Sequence, residues 1–187
     1  MGAVSRAAEA LDRRAFTVSD VLAMQKAGIL PDKERYELIE GDIVMMQAKG
    51  PLHETLKSAL TYNLVKALPE SLWFGVETTI YLSDDTFVEP DLVVFPRGIK
   101  PDEVKGSDIL LAIEVSASSL AYDRGFKAQL YAKHKVHEYW VVDAFNRTTY
   151  QFTDPHSRNW RRRVERGPDA VLTHSALPGF SIRLSDY

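Results

Sequence analysis

Two carboxylates stand where apolar runs meet polar turns. Asp91 follows Pro90 and opens Leu92-Val93-Val94-Phe95, and Glu114 closes the run Ile109 to Ile113. A carboxylate in such a place is costly to desolvate unless it is paired or binds a cation. On neighbouring strands both groups reach one point. Hard divalent cations such as magnesium take oxygen ligands of this kind, with water and a substrate phosphate completing the shell. Downstream, Asp123, Lys127 and Tyr131 recur every four residues and so share one helix face. That helix begins just past Glu114, so its first turns overhang the same end of the sheet and Lys127 can bring an ammonium to the carboxylates. Taken singly, each residue has a plainer reading. Asp91 then bonds backbone amides at a strand start, Glu114 is a charge at a sheet edge, and Lys127 forms a surface pair with Asp123 worth about 0.3–0.5 kcal/mol. Their combination, in this order of elements, favours a site.

The elements that must position these groups follow from periodicity. Thr17 or Ser19 caps a short helix ended by Gly28. Tyr36 to Ile39 and Ile43 to Met46 read as strands about a turn at Glu40-Gly41-Asp42. After Pro51, Leu52, Leu56, Leu60, Leu64 and Leu68 mark a helix. Trp73 to Leu82, Phe87 to Phe95 and Asp108 to Ser116 read as strands, the last unbroken in its apolar run and so buried on both faces. Ser118 or Ser119 caps a helix reaching Lys135, whose Phe126 and Leu130 face the sheet and whose interior holds the helix-weakening Gly125. His137 to Ala144 is another buried strand, so strand, helix and strand form a crossover unit. Thr148 to Phe152, Trp160 to Glu165, Ala170 to Thr173 and Ser181 to Leu184 read as short antiparallel strands. The expected architecture is a mixed α/β sheet with helices packed on it, in one domain over residues 1–187 with a polar tail at 1–16.

Composition narrows the chemistry. With 187 residues and no cysteine, disulfides, thiolate catalysis and cysteine-held zinc are excluded. No apolar run is long enough to span a membrane, and the N-terminus has no signal-peptide core, which makes the cytoplasm the default compartment. The formal net charge of −3 argues against coating nucleic acid through bulk positive charge. The densest basic stretch is Arg158, Arg161, Arg162, Arg163 and Arg166 around Trp160. It reads as a phosphate-gripping strand or equally as a charged edge ribbon. His134, His137 and Glu138 straddle a helix end without a trusted ligand spacing. Trp73, Phe74, Tyr139 and Trp140 read as core or dimer contacts.

The ordered set Tyr36-Glu37-Leu38-Ile39-Glu40-Gly41, His53, Pro90-Asp91, Glu114-Val115-Ser116, the Asp123/Lys127/Tyr131 face and Val136-His137-Glu138-Tyr139-Trp140-Val141-Val142-Asp143 resembles the Uma-two family of restriction-endonuclease-like proteins, within the PD-(D/E)XK nuclease superfamily. The resemblance runs from Arg35 to Asp143. It implies a restriction-endonuclease-like mixed β-sheet core flanked by helices, with extra antiparallel C-terminal strands. It also implies metal-dependent hydrolysis of DNA phosphodiester bonds. Asp91, Glu114 and the Val115 carbonyl would hold Mg2+, with Mn2+ as substitute. Lys127 would orient the attacking water or offset phosphoryl charge. Glu37 would add a metal or water contact, or be only a strand-surface charge. His53 would contact phosphate or support the site, or simply lie in the first turn of its helix. A homodimer would set two sites on two strands. The superfamily's lysine normally stands two residues after the second acid, where this chain has Ser116; Lys127 is its migrated counterpart. A nuclease-fold protein that only binds nucleic acid or a protein partner is the alternative, and hydrolysis of a small phosphate ester a third reading. No helix-turn-helix is visible and no cysteine-based zinc finger is possible.

Overall fold

The computed structural model describes residues 14–31, 33–46 and 48–187. Most of the expected tail lies outside them. Within its last part, the Phe16 N–H donates to the Gly41 carbonyl at 2.9 Å, and the Phe16 ring packs against the cluster of Val21, Tyr36, Leu38 and Phe87. Helix α1 (Val18–Lys26) starts at Thr17, whose hydroxyl accepts from the Asp20 N–H while the Asp20 carboxylate accepts from the Thr17 N–H.

Strands β1 (Tyr36–Ile39) and β2 (Asp42–Met45) pair across Glu40 and Gly41, both at positive φ (51° and 84°). Such a turn matches the twist of the strands it joins. With β4 (Ile80–Ser83) and β5 (Thr86–Val88) they form a four-stranded sheet in the order β2-β1-β5-β4. The larger sheet holds β3 (Leu72–Val76), β6 (Leu92–Pro96), β7 (Leu111–Ser116), β8 (Glu138–Asp143), β9 (Thr149–His156) and β10 (Asn159–Arg166), in the order β10-β9-β8-β7-β6-β3. Only β7 and β8 are parallel, joined by the expected crossover helix. Strands β11 (Val171–His174) and β12 (Leu177–Arg183) form a separate ribbon.

Two expected strands are corrected. Trp73 to Leu82 divides into β3 and β4, and Phe87 to Phe95 into β5 and β6; each half joins a different sheet. The first break falls at Glu77, with φ 48°. The second falls at Pro90, which has no N–H to continue a ladder. The two breaks hinge the small sheet away from the large one and leave Asp91 at the seam.

Helix α2 (Pro51–Ala67) buries Leu56, Leu60 and Leu64 against one face of the large sheet, together with the β11–β12 ribbon. Leu52 leaves the stripe and is 45% exposed. A four-residue spacing drifts about 40° per step against the 3.6-residue helix, so the ends of a long stripe rotate out. Helix α3 covers the other face. It consists of an α-turn Leu120–Tyr122, a π-helical turn Asp123–Lys127 and an α-segment Ala128–Lys133. The extra residue of the π turn puts Phe126 at the surface, stacked on Tyr122 and not against the sheet as expected, while Leu130 is buried. The expected serine cap is also corrected: Ser119 makes no capping bond, and its hydroxyl donates to Asp123 instead.

Gly106 packs against the end of α3, where an added Cβ meets the His134 carbonyl oxygen at 2.2 Å and its carbon at 2.9 Å. Gly106→Ala is expected to destabilise the protein by about 1–3 kcal/mol through overpacking. Gly125→Ala, with no heavy atom within 4 Å of the new Cβ, is expected to gain roughly 0.5–1 kcal/mol. Urea midpoints of the two variants check both signs.

Candidate active site

The β6–β7 register is Leu92↔Ile113 and Val93↔Ala112. One step further places Asp91 across from Glu114, on the face where Val93 and Ala112 meet α3. The Val115 N–H lies beyond the last paired residues of this ladder and donates to Asp91 Oδ2 at 2.8 Å. The same oxygen lies 3.0 Å from His53 Nε2, brought by the first turn of α2. Asp91 Oδ1 accepts from Lys49 Nζ at 2.7 Å. Burial alone would raise the Asp91 carboxyl, but hydrogen bonds from His53 and Lys49 outweigh it and hold the group down at about 2.

Glu114 is buried at the end of β7. Its Oε1 accepts from the Tyr131 hydroxyl at 3.1 Å and forms an ion pair with Lys127 Nζ at 2.8 Å. Lys127 Nζ also donates to Glu37 Oε1 at 2.9 Å, and that oxygen takes the Glu89 N–H at 2.8 Å. Lys127 therefore ties β1 of the small sheet to β7 of the large one, and both partners are buried with it. Burial works against its charge, and the carboxylates of Glu114 and Glu37 more than restore it, so Lys127 stays an ammonium well above its usual range. Glu114 is pushed well above its usual range by burial and by the carboxylates of Asp91, Asp123 and Glu37, against which Lys127 alone is insufficient. The surface pair between Asp123 and Lys127 does not form. Asp123 turns inward and accepts from Ser116 Oγ at 2.6 Å and Ser119 Oγ at 2.5 Å. Ser116, two residues after Glu114, thus anchors the π turn.

All five expected catalytic side chains, Asp91, Glu114, Lys127, Glu37 and His53, line one open cleft of about 520 Å³, and Val115 lines it too. Lys49, Ser119, Tyr122 and Asp123 complete its polar wall. The Tyr122 hydroxyl is buried without a hydrogen-bond partner among the described residues, and burial first, then nearby Glu37, pushes it up to about 12. Sequence reasoning missed Lys49 and Glu77. Glu77 collects Lys49 at 2.6 Å, Lys57 at 2.5 Å and Arg35 at 3.1 Å. These cations overcome the effect of burial and hold it down at about 2. Its signal was a lone carboxylate inside the apparent strand Trp73 to Leu82; the signal for Lys49 was its place in the turn Ala48-Lys49-Gly50 ahead of Pro51.

Among the described residues no three His, Asp or Glu side chains enclose a metal ion. The donor set nevertheless suits a hard cation: two buried carboxylates from adjacent strands, one of which, Glu114, is pushed above its usual range by burial and by the neighbouring carboxylates. Glu114 Oε2 carries no hydrogen bond among the described residues. Water and phosphate would supply the remaining positions, as magnesium commonly requires.

The arginine-rich β10 is an edge strand, and none of its arginines lines the cleft. Arg158 pairs with Glu40, Arg161 lies 3.7 Å from Asp154, and Arg163 sits 5.9 Å from the Phe152 ring centroid. His137 bonds the Ser107 carbonyl and Glu138 pairs with His174, so they do not join His134 in a metal cluster. Tyr139 and Trp140 are core, while Trp73 is 45% exposed on the edge strand β3. No described helix is long and apolar enough to cross a membrane.

A hinged pair of sheets, a helix-covered parallel crossover and acidic side chains gathered at adjacent strand ends define a mixed α/β protein with an acidic cleft. The family model described as "Uma2: Putative restriction endonuclease" matches residues 18–185, and the chain belongs to that family. Its fold is shared with a crystal structure from Anabaena variabilis ATCC 29413 described as "a putative nuclease belonging to DUF820". The TM-score is 0.69 at 18% identity, over 91% of this chain and 96% of that one. The expected restriction-endonuclease-like fold is thereby borne out. No curated protein matches the chain.

The shift of Asp91 makes a signed prediction. Its folded carboxyl lies below the unfolded value of 3.8, so its contribution is complete above that value and is lost as pH falls towards about 2. A shift of this size corresponds to about 2 kcal/mol. Urea unfolding between pH 5 and 2 (about the range of the transition) should show wild type losing this increment, and Asp91→Asn lacking that part of the slope. Lys127→Met should cost about 3–5 kcal/mol by stranding two buried carboxylates. A thermal midpoint unchanged from wild type would contradict the strut role of Lys127.

Proposed function

We propose that the cleft hydrolyses DNA phosphodiester bonds with a divalent metal, Mg2+ or its substitute Mn2+, and that the protein is an endonuclease of the PD-(D/E)XK type. The observation that carries this reading is the convergence of Asp91 and Glu114 at adjacent strand ends, with Lys127 bonded to Glu114, in an open cleft. The family description and the nuclease description of the similar structure support the same class. Asp91, Glu114 and the Val115 carbonyl would hold the metal, which when bound supplies an electrophile for the phosphate and a more acidic water.

The chain's own groups have separable tasks. Val115 N–H and His53 fix the Asp91 carboxylate in one orientation, and His53 faces the cleft from the start of α2. Lys127 holds Glu114 and Glu37 together and supplies positive charge where negative charge grows on the phosphoryl oxygens. Glu37 keeps Lys127 in place from the small sheet and lines the same wall. Tyr122 stays protonated and can donate its hydroxyl to an anionic group. The openness of the cleft favours a polymer over a small enclosed ester. We include in this reading a single domain acting in the cytoplasm as a homodimer, for which exposed Trp73 and Val76 on the unpaired edge of β3 offer a surface.

One observation favours the alternative of a non-catalytic binding protein: each carboxylate facing the cleft already has a protein partner, Lys49 and His53 on Asp91 and Lys127 on Glu114. Supercoiled plasmid incubated with Mg2+ or Mn2+ separates the two. The nuclease reading expects nicking that EDTA abolishes and that Asp91→Asn and Glu114→Gln each reduce by about 100-fold or more, the scale of losing transition-state electrostatics. Intact plasmid with folded wild type and either metal would leave the binding reading.

A further inference from the structure

The cleft contains two lysines in different circumstances. Lys127 has 4% of its side chain exposed and bonds carboxylates of two sheets; moving it would strand both. Lys49 lies in the loop between β2 and α2, has 15% of its side chain exposed, and reaches Asp91 Oδ1 at 2.7 Å and Glu77 Oε1 at 2.6 Å. Each partner keeps other bonds without it: Glu77 keeps Lys57 and Arg35, and Asp91 keeps His53 and the Val115 N–H on Oδ2. Its departure leaves Asp91 Oδ1 open to a divalent cation, whereas departure of Lys127 leaves two buried carboxylates unpaired.

We propose that Lys49 is an exchangeable counter-ion of the site: it neutralises Asp91 Oδ1 until a divalent cation takes that oxygen, and it then pairs with the substrate phosphate. This inference rests on the metal-dependent reading of the cleft. Lys49 is placed for both states because the cleft is lined by Ala48, Lys49 and Gly50 as well as by Asp91, so its ammonium turns from one wall into the lumen without crossing protein. Glu77 can keep the released amine through the bond it already makes. Lys49 thereby couples the arrival of the metal to the appearance of positive charge for phosphate, in a chain whose net charge is −3 and whose other cleft-facing ammonium is locked in a strut.

The coupling is tested on the full chain by titrating Mn2+ and following free Mn2+ by electron paramagnetic resonance. Wild type, Lys49→Met, Lys49→Gln and Asp91→Asn are compared, with circular dichroism confirming the fold of each. Removing a competing cation should tighten Mn2+ binding by about three- to tenfold in both Lys49 variants. The same variants should bind a nuclease-resistant phosphorothioate duplex, with Mn2+ present, about tenfold more weakly. Asp91→Asn should lose the Mn2+ site. Unchanged or weaker Mn2+ binding in the folded Lys49 variants, with the site still lost in Asp91→Asn, overturns the role of Lys49 and leaves the metal reading standing. Unchanged duplex binding overturns the phosphate half of the proposal. No saturable Mn2+ binding by wild type, or binding that survives Asp91→Asn, overturns both readings together. If Lys49→Met does not fold, Lys49→Gln, which keeps a polar head, decides the point.

Discussion

The Lys127 ammonium is the constraint on which the rest of the site depends. It is buried, and it bonds Glu37 from the small sheet and Glu114 from the large one. A buried charge of this kind is stable only when its geometry is fully satisfied, and each removal leaves others exposed to the same desolvation cost. Fixing Lys127 therefore fixes the angle between the two sheets, the placement of the π turn that carries it, and the position of Glu114. The hydroxyls of Ser116 and Ser119 hold that turn through Asp123, and Tyr139 reaches the Asp123 carbonyl at 3.2 Å from β8. The π turn, an irregularity often found at functional sites, is thus bonded from two neighbouring strands.

A register argument accounts for the other half of the site. The β6–β7 pairing ends at Leu92 and Ile113, and the Val115 N–H beyond it bonds the Asp91 carboxylate. The acid that follows Pro90 thereby gains a backbone anchor at the strand entrance. His53 and Lys49 then neutralise what the anchor has oriented. The result is one carboxyl, Asp91, held below its usual range beside another, Glu114, pushed above it chiefly by burial; two environments move two similar groups in opposite directions.

Much of the architecture was legible in the sequence. Unbroken apolar runs marked β7 and β8, and a helix between them required a parallel crossover. Asp91, Glu114 and Lys127 were readable because each interrupts a pattern that pays no heed to charge. The irregular joints were not readable. Glu77 and Pro90 lie inside stretches rich in strand formers, so local propensity ran through breaks that sheet hinging imposes. Phe126 was assigned to the core because an α period was assumed across a turn with one residue more. Lys49 belongs to no periodic element, and only the folded loop brings it back over Asp91. The role of Ser116 was likewise invisible, since a missing lysine says nothing about what replaces it.

Charge balance links these points to function. Around Asp91, Glu77 and Glu89 the chain places Lys49, Lys57, Arg35 and His53, and every one of them touches a carboxylate. Without a ligand such a network presents little net field to a polyanion, in keeping with an acidic chain that does not hold nucleic acid through bulk charge. Attraction has to arise locally, by adding positive charge to the cluster or by releasing a cation already in it. Lys127 cannot be released without leaving two buried carboxylates unpaired, and Arg35 and Lys57 are held by Glu77, which does not line the cleft. The exposed arginines of β10 lie away from the cleft and answer a different need, keeping the edge of the large sheet from pairing with another. What is left is a cluster in which one loop lysine separates a balanced state from one that attracts phosphate, so the loop between β2 and α2, and not the sheet, sets when the cleft accepts an anionic ligand.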